Sequence, residues 1–161
     1  MSLLQMSYHE AAHALIARSL GRPVEVVSIL AEGGGVTATA GPIAGDRSPE
    51  ALEQALVIVF AGDVGSAYAP RSGNPDIAAA AGANGGGVVP TEGDAYGPTD
   101  AEIIERYRAD LGDEAIERAR ALAVELVDRM AVLGVLERVA DRLYLSGLLT
   151  ADDLERLVAQ A

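Results

Sequence analysis

The sequence contains no cysteine, no tryptophan and no lysine, so all twelve of its cationic residues are arginines. The absence of cysteine excludes a disulfide framework, a thiol nucleophile and a thiolate metal site. The absence of lysine excludes a phosphate-binding loop that ends in Lys-Ser or Lys-Thr, so these residues hold no P-loop ATPase module. No apolar run reaches the roughly 18 residues of a membrane helix, which predicts a cytoplasmic protein without direct membrane insertion.

Positive charge is scarce as well, with 12 Lys+Arg against 24 Asp+Glu and a net charge of −12. A surface of this sign repels phosphates, so we expect no binding to nucleic acid. Half of the residues are hydrophobic and 22% are charged, which is enough for a buried core. A length of 161 residues suits one domain.

The pattern of apolar residues predicts a mainly α (α+β) fold. A helix over Leu3–Leu20 precedes a small β-hairpin, whose strands Val24–Leu30 and Val36–Ala40 are joined by a glycine-rich turn. A second helix begins after Ser48, which is suited to an N-cap, and runs to about Tyr68.

The second half of the sequence predicts a long loop and then more helices. Pro70–Thr99 is rich in glycine and is predicted to be a long loop, with a short helical turn over Asp76–Ala81. A C-terminal helical bundle should follow, with helices over 99–111, 113–134, 135–146 and 150–161. We therefore expect a single domain over 1–161, with the functional residues in 1–111 and C-terminal helices in 112–161.

Both histidines of the protein lie in the stretch His9-Glu10-Ala11-Ala12-His13. Positions i and i+4 of a helix lie on one face, about 6 Å apart along the axis, so both imidazoles can reach one Zn²⁺. Glu10 projects about 100° away from His9, where its carboxylate can accept a proton from a zinc-activated water. An accidental pair on a helix surface is the alternative, but the motif favours a zinc site.

A catalytic zinc needs a third protein ligand, which must be a carboxylate because there is no further His and no Cys. Ile16 and Ser19 occupy the positions where a metzincin has its Gly and third His. The spacing of the sequence leaves the choice of ligand open. The candidates are Glu32, Glu50, Glu53 and Asp100.

Beyond the motif, the sequence resembles the peptidase domain of the FtsH family of ATP-dependent zinc metalloproteases, over nearly its whole length. Tyr8 to Leu15 resembles the family's zinc helix, and 24–37 resembles its two strands and glycine turn. The helix with Ala61-Gly62-Asp63 resembles the helix that carries its Gly-Gly-Arg signature. Gly97 to Ile103 resembles the segment that supplies its third ligand, which implies that Asp100 completes a Zn²⁺ site with His9 and His13.

The resemblance implies a zinc-dependent endopeptidase that cleaves unfolded or flexible polypeptide with Glu10 as general base. A strand edge at Val36, Thr37 and Ala38 is a candidate for pairing with an extended substrate, although it can equally be a purely structural edge. The family's hexameric rings imply a possible homo-oligomer, and the missing ATPase implies a possible separate ATPase partner.

The sequence also departs from the family. Gly65-Ser66-Ala67 replaces the family's Ala-Glu-Glu, which removes two carboxylates near the expected site. A catalytically inactive adaptor or assembly module is therefore an alternative, as is a metal-dependent hydrolase that acts on another bond.

Overall fold

A computed structural model describes residues 1–30, 34–39, 48–70 and 99–160 of the chain. This part is mainly helical, with a small antiparallel sheet, so the predicted mainly α (α+β) class is confirmed. The helices are α1 (Leu3–Ser19), α2 (Pro49–Ser66), α3 (Asp100–Leu111), α4 (Asp113–Val132), α5 (Val135–Ser146) and α6 (Ala151–Val158). The strands are β1 (Val24–Leu30), β2 (Gly34–Thr39) and β3 (Leu148–Thr150).

Three of the helices begin at a capping box, in which side chains bind the free N–H groups of the first turn. Ser2 and Gln5 form this arrangement at α1, Thr99 and Glu102 at α3, and Thr150 with Asp153 at α6. Glycines with positive φ separate the later helices, with φ of 80° at Gly112 and 67° at Gly134.

Helix α1 is the centre of the fold. It packs against α2 on one side, against β1 and β2 on another, and against α5 on a third. Small buried residues such as Ala11, Ala12 and Ala14 allow these neighbours to approach it closely. Because α1 is buried along most of its length, its polar residues His13 and Glu10 are also buried.

The sheet has the order β2-β1-β3, with antiparallel pairing throughout. Strand β2 pairs with β1 through Val27↔Thr37 and Ser28↔Val36, and a bulge shifts the register near Val24. Within the part of the chain that the structure describes, β2 is thus an edge of the sheet. The predicted second strand was Val36–Ala40, and Ala40 lies outside the described residues. Strand β3 is not predicted from the sequence, because three residues are too few to show an alternating pattern.

The C-terminal helices share one hydrophobic core with the N-terminal elements. Helix α4 packs on α2, and α5 packs on α1. The core contains Leu15 and Phe60 together with Leu136, Leu143 and Leu154. The C-terminal helices therefore hold the elements that carry the motif in place.

Two further predictions fall on parts of the chain outside the described residues. They are the turn with Glu32 and Gly33, and the long loop with its helical turn over Asp76–Ala81. In the described residues, no helix combines the length and apolar character that crossing a membrane requires.

Candidate metal centre

The two imidazoles of α1 face each other. Nε2 of His9 and Nε2 of His13 are 2.9 Å apart, and the ring centroids are 4.5 Å apart with the planes nearly perpendicular. This is the arrangement expected for residues one helical turn apart on one face. Both side chains are largely shielded from water, with 12% exposure for His9 and 10% for His13.

Asp100, in the first turn of α3, brings a carboxylate to the same point. Its Oδ2 lies 3.1 Å from Nε2 of His9 and 3.4 Å from Nε2 of His13. Capping of α3 does not occupy this carboxylate, because the Thr99 hydroxyl accepts from the backbone N–H of Glu102 instead. Asp100, the first residue of the helix, therefore faces the imidazoles without serving as the cap of α3.

The other candidate carboxylates differ in position. Among the described residues, His9, His13 and Asp100 form the one group of three or more potential ligands close enough to share an ion. Glu53 accepts a hydrogen bond from Nε of Arg118 at 3.0 Å, and Glu50 is exposed in the first turn of α2. Glu32 lies outside the described residues. The structure thus brings Asp100, and neither Glu50 nor Glu53, to the histidines.

The donor set fits a tetrahedral zinc ion. With bonds of about 2.0–2.1 Å to N and O, two ligand atoms of such an ion are about 3.3 Å apart. The three observed separations are 2.9, 3.1 and 3.4 Å. Two imidazole nitrogens and one carboxylate oxygen also form a donor set that zinc takes in hydrolytic enzymes.

Glu10 lies beside this triangle without belonging to it. Its side chain is buried, and its Oε2 accepts a hydrogen bond of 2.8 Å from the Thr37 hydroxyl of β2. The same hydroxyl lies 3.2 Å from the main-chain oxygen of Glu10. Thr37 therefore holds the carboxylate in one orientation between α1 and the sheet.

Burial and charge shift the pKa values of these groups in different directions. Burial raises the pKa of Glu10, and this outweighs the opposing effects of His13, Thr37 and His9. For Asp100, burial acts in the raising direction, but hydrogen bonds and charge from His13 and His9 prevail and lower its pKa. Asp100 is consequently ionised at ordinary pH, which is the form that binds a metal.

For His13, burial and charge act on the pKa in the directions opposite to those for Asp100. Burial would lower its pKa, but the hydrogen bond to Asp100 and the negative charges of Glu10 and Asp100 outweigh burial and raise it. The negative charges of Glu10 and Asp100 therefore favour a positive charge at His13. This charge can be a proton on the imidazole or a bound metal ion.

Two glycines allow the close approaches that form the site. A Cβ on Gly62 of α2 would lie 2.6 Å from Cε1 of both His9 and His13. A Cβ on Gly35 of β2 would lie 2.5 Å from Cγ of Glu10. The sequence analysis did not assign a role to either residue. The available signal was Gly62 at the end of the apolar run 55–61 of α2, where glycine in a helix is unfavourable by about 1 kcal/mol unless packing requires it.

The predicted substrate-binding residues Val36, Thr37 and Ala38 all lie on β2. In the part of the chain that the structure describes, β2 pairs with β1 alone, so its other edge has no partner strand there. Thr37 directs its hydroxyl toward Glu10, which indicates a role in the site that the sequence analysis did not foresee.

A comparison with protein-family models matches no family. A comparison with curated proteins yields no match. The assignment to the FtsH family therefore remains a prediction from the sequence motifs.

Proposed function

We propose that this protein is a zinc-dependent endopeptidase of the HExxH type, similar to the FtsH peptidase domain. The observation that supports the proposal is the convergence of His9, His13 and Asp100 on one point, with the buried carboxylate of Glu10 beside them. A site with three protein ligands leaves a position for water, and a neighbouring carboxylate supplies a general base.

In this proposal, His9, His13 and Asp100 hold Zn²⁺. When bound, zinc lowers the pKa of a coordinated water to about 7 and polarises the carbonyl of the substrate. Glu10 accepts a proton from the attacking water and passes it to the amine nitrogen that leaves. The Thr37 hydroxyl keeps Oε2 of Glu10 in place during this transfer, and burial of the carboxylate favours the protonated state that the transfer creates.

The proposed substrate is an unfolded or flexible polypeptide in an extended conformation. Strand β2 is an edge strand, and main-chain groups of such an edge can pair with an added strand. Its Thr37 contacts Glu10, so a peptide paired along β2 runs close to the general base. The 161 residues of the sequence contain no P-loop, so cleavage of folded substrates requires an ATPase from outside them, for which the resemblance implies a possible separate partner. A cytoplasmic location and a homo-oligomer belong to the same proposal.

The decisive experiment compares zinc-loaded wild type with Glu10→Gln on a fluorescently labelled, permanently unfolded polypeptide. We expect cleavage by the wild type, inhibition by a chelator, and a loss of about 10²–10⁴-fold in kcat for Glu10→Gln with unchanged zinc affinity. Glu50→Gln is the matched control, because it makes the same substitution at an exposed position of α2.

The same experiment can contradict the proposal in two ways. If Glu10→Gln cleaves as fast as the wild type, the proposed mechanism is wrong. If the zinc-loaded wild type cleaves none of a varied set of unfolded polypeptides, the inactive adaptor is favoured. The replacement of the family's acidic pair by Gly65-Ser66-Ala67 is the feature that favours this adaptor.

A further inference from the structure

Helix α2 lies against both imidazoles, and two of its residues, Ile58 and Asp63, face the ring nitrogens that point away from the proposed metal. Nδ1 of His13 lies 2.7 Å from the main-chain oxygen of Ile58, which accepts its hydrogen bond. Nδ1 of His9 is also buried, but it has no hydrogen-bond partner among the described residues. The two ligands thus differ in their outer contacts.

The group that faces Nδ1 of His9 is the carboxylate of Asp63. Its Oδ1 lies 4.0 Å from Nδ1, and the side chain is 72% exposed, so it can rotate without displacing packed neighbours. Gly62, the preceding residue, allows α2 to approach the rings closely enough for this contact. Asp63 lies near Nδ1 of the ring whereas Asp100 lies near Nε2, and Asp63 is not part of the group of potential ligands.

We propose that Asp63 is a positioning residue for the metal, because it accepts a hydrogen bond from Nδ1–H of His9 when Nε2 binds zinc. This inference rests on the zinc site of the proposed function. A neutral imidazole has one N–H, and a metal on Nε2 leaves that proton on Nδ1. A buried N–H needs an acceptor, and metal-binding histidines generally find one in a carboxylate, a carbonyl or a water.

The charge of Asp63 adds to this effect. A carboxylate on the outer nitrogen fixes the tautomer and orientation of the ring, and it makes the inner nitrogen a stronger ligand. His13 obtains its orientation from a neutral carbonyl of the same helix, so α2 orients both ligands by different means. Loss of such an outer partner typically weakens metal binding by about 10–100-fold.

The test measures the affinity of the full chain for Zn²⁺ by competition with a chromophoric chelator. We expect Asp63→Ala to weaken binding by about 10–100-fold and Asp63→Asn, which keeps an acceptor oxygen without the charge, to have an intermediate effect. Glu50→Gln removes the same charge from the opposite end of α2 and should change the affinity less than twofold, as a control for net charge.

A second measurement follows the proton itself. In ¹⁵N-histidine NMR spectra of the zinc-loaded protein, the Nδ1–H signal of His9 should show a strong hydrogen bond in the wild type and a weakened one in Asp63→Ala. Thermal unfolding of the metal-free variant should match that of the wild type, because Asp63 is exposed. This would separate a positioning role from a role in folding.

The outcomes distinguish this inference from the proposed function. If the wild type binds zinc and Asp63→Ala binds it equally well, Asp63 is not a positioning residue and the zinc site stands. If the wild type binds no zinc, both proposals are wrong. If zinc binding depends on Asp63 but no peptide is cleaved, the positioning role holds and the endopeptidase proposal is wrong.

Discussion

At the scale of single residues, Gly62 controls how closely α2 can approach the two imidazoles. An added methyl group would lie 2.6 Å from Cε1 of both rings, well inside van der Waals contact. Alanine favours a helix over glycine by about 1 kcal/mol, but overpacking of a buried contact costs about 1–3 kcal/mol. We therefore expect Gly62→Ala to be neutral to modestly destabilising, while its zinc affinity falls because the rings are displaced. Chelator competition and urea unfolding measure the two effects.

The matched control is Gly21→Ala. A Cβ at Gly21 meets no atom within 4 Å, but its φ of 76° is unfavourable for alanine. This variant should lose stability and keep its zinc affinity. Equal loss of zinc affinity in both variants would show that the effect at Gly62 is a general consequence of destabilisation.

Asp100 and Thr99 are neighbours with separable roles. Asp100→Asn removes the charged ligand, and we expect the zinc affinity to fall by at least the ~10–100-fold that follows the loss of an outer partner. Thr99→Ala removes the N-cap of α3 and should destabilise the protein by about 1 kcal/mol while leaving zinc binding nearly unchanged. A similar zinc affinity in Asp100→Asn and in the wild type would exclude Asp100 as a ligand.

At the scale of secondary structure, the capping residues made the helices predictable. Ser48 and Thr150 stand at the starts of α2 and α6, where polar side chains can bind free N–H groups. Strand β3 was not predictable, because its three residues are extended only through pairing with Val26, Val27 and Ser28. Tertiary pairing of this kind leaves no periodic signal in the sequence.

The cap of α6 gives a prediction for pH. Hydrogen bonds from the backbone and hydroxyl of Thr150, together with Arg156, lower the pKa of Asp153 to about 2. A group whose pKa is lower in the folded protein stabilises it above the unfolded pKa of about 3.9, and this stabilisation is lost as pH falls toward 2.

The corresponding variant is Asp153→Ala. In urea unfolding, it should be less stable than the wild type at pH 6, and the difference should shrink steadily between pH 4 and pH 2. Asp152→Ala, at the exposed neighbouring position, is the control and should show a smaller difference at pH 6. A difference for Asp153→Ala that is constant with pH would mean that its ionised carboxylate does not stabilise the cap.

At the scale of the whole molecule, the proposed ion connects α1 to α3 and should stabilise the fold. At a free zinc concentration 100-fold above Kd, ligand binding adds about 2.7 kcal/mol. For a chain of this size that corresponds to a rise in Tm of roughly 5–10 °C. Differential scanning calorimetry should show this rise in the wild type, its reversal by a chelator, and little of it in Asp100→Asn. An equal rise in that variant would place the ion elsewhere.

The sequence predicted the histidine pair from helical spacing alone, because i and i+4 always share a face. It could not select Asp100 over Glu50 or Glu53 by spacing, since that choice depends on how α3 packs against α2. The contacts of Gly35 and Thr37 with Glu10, and of Asp63 with His9, could not be predicted either, because the contacting residues are distant in sequence. The local sequence pattern thus predicts the helices and strands. Which side chains contact one another depends on tertiary packing.

The order in which the chain is synthesised has a consequence for the triangle of His9, His13 and Asp100. The two histidines are synthesised before the aspartate, which follows only after α2 and residues 71–98. A nascent or prematurely terminated product that stops before position 100 therefore has two ligands and no acid to join them. Under the proposed function, such a product would lack the complete zinc site and would not cleave peptide bonds.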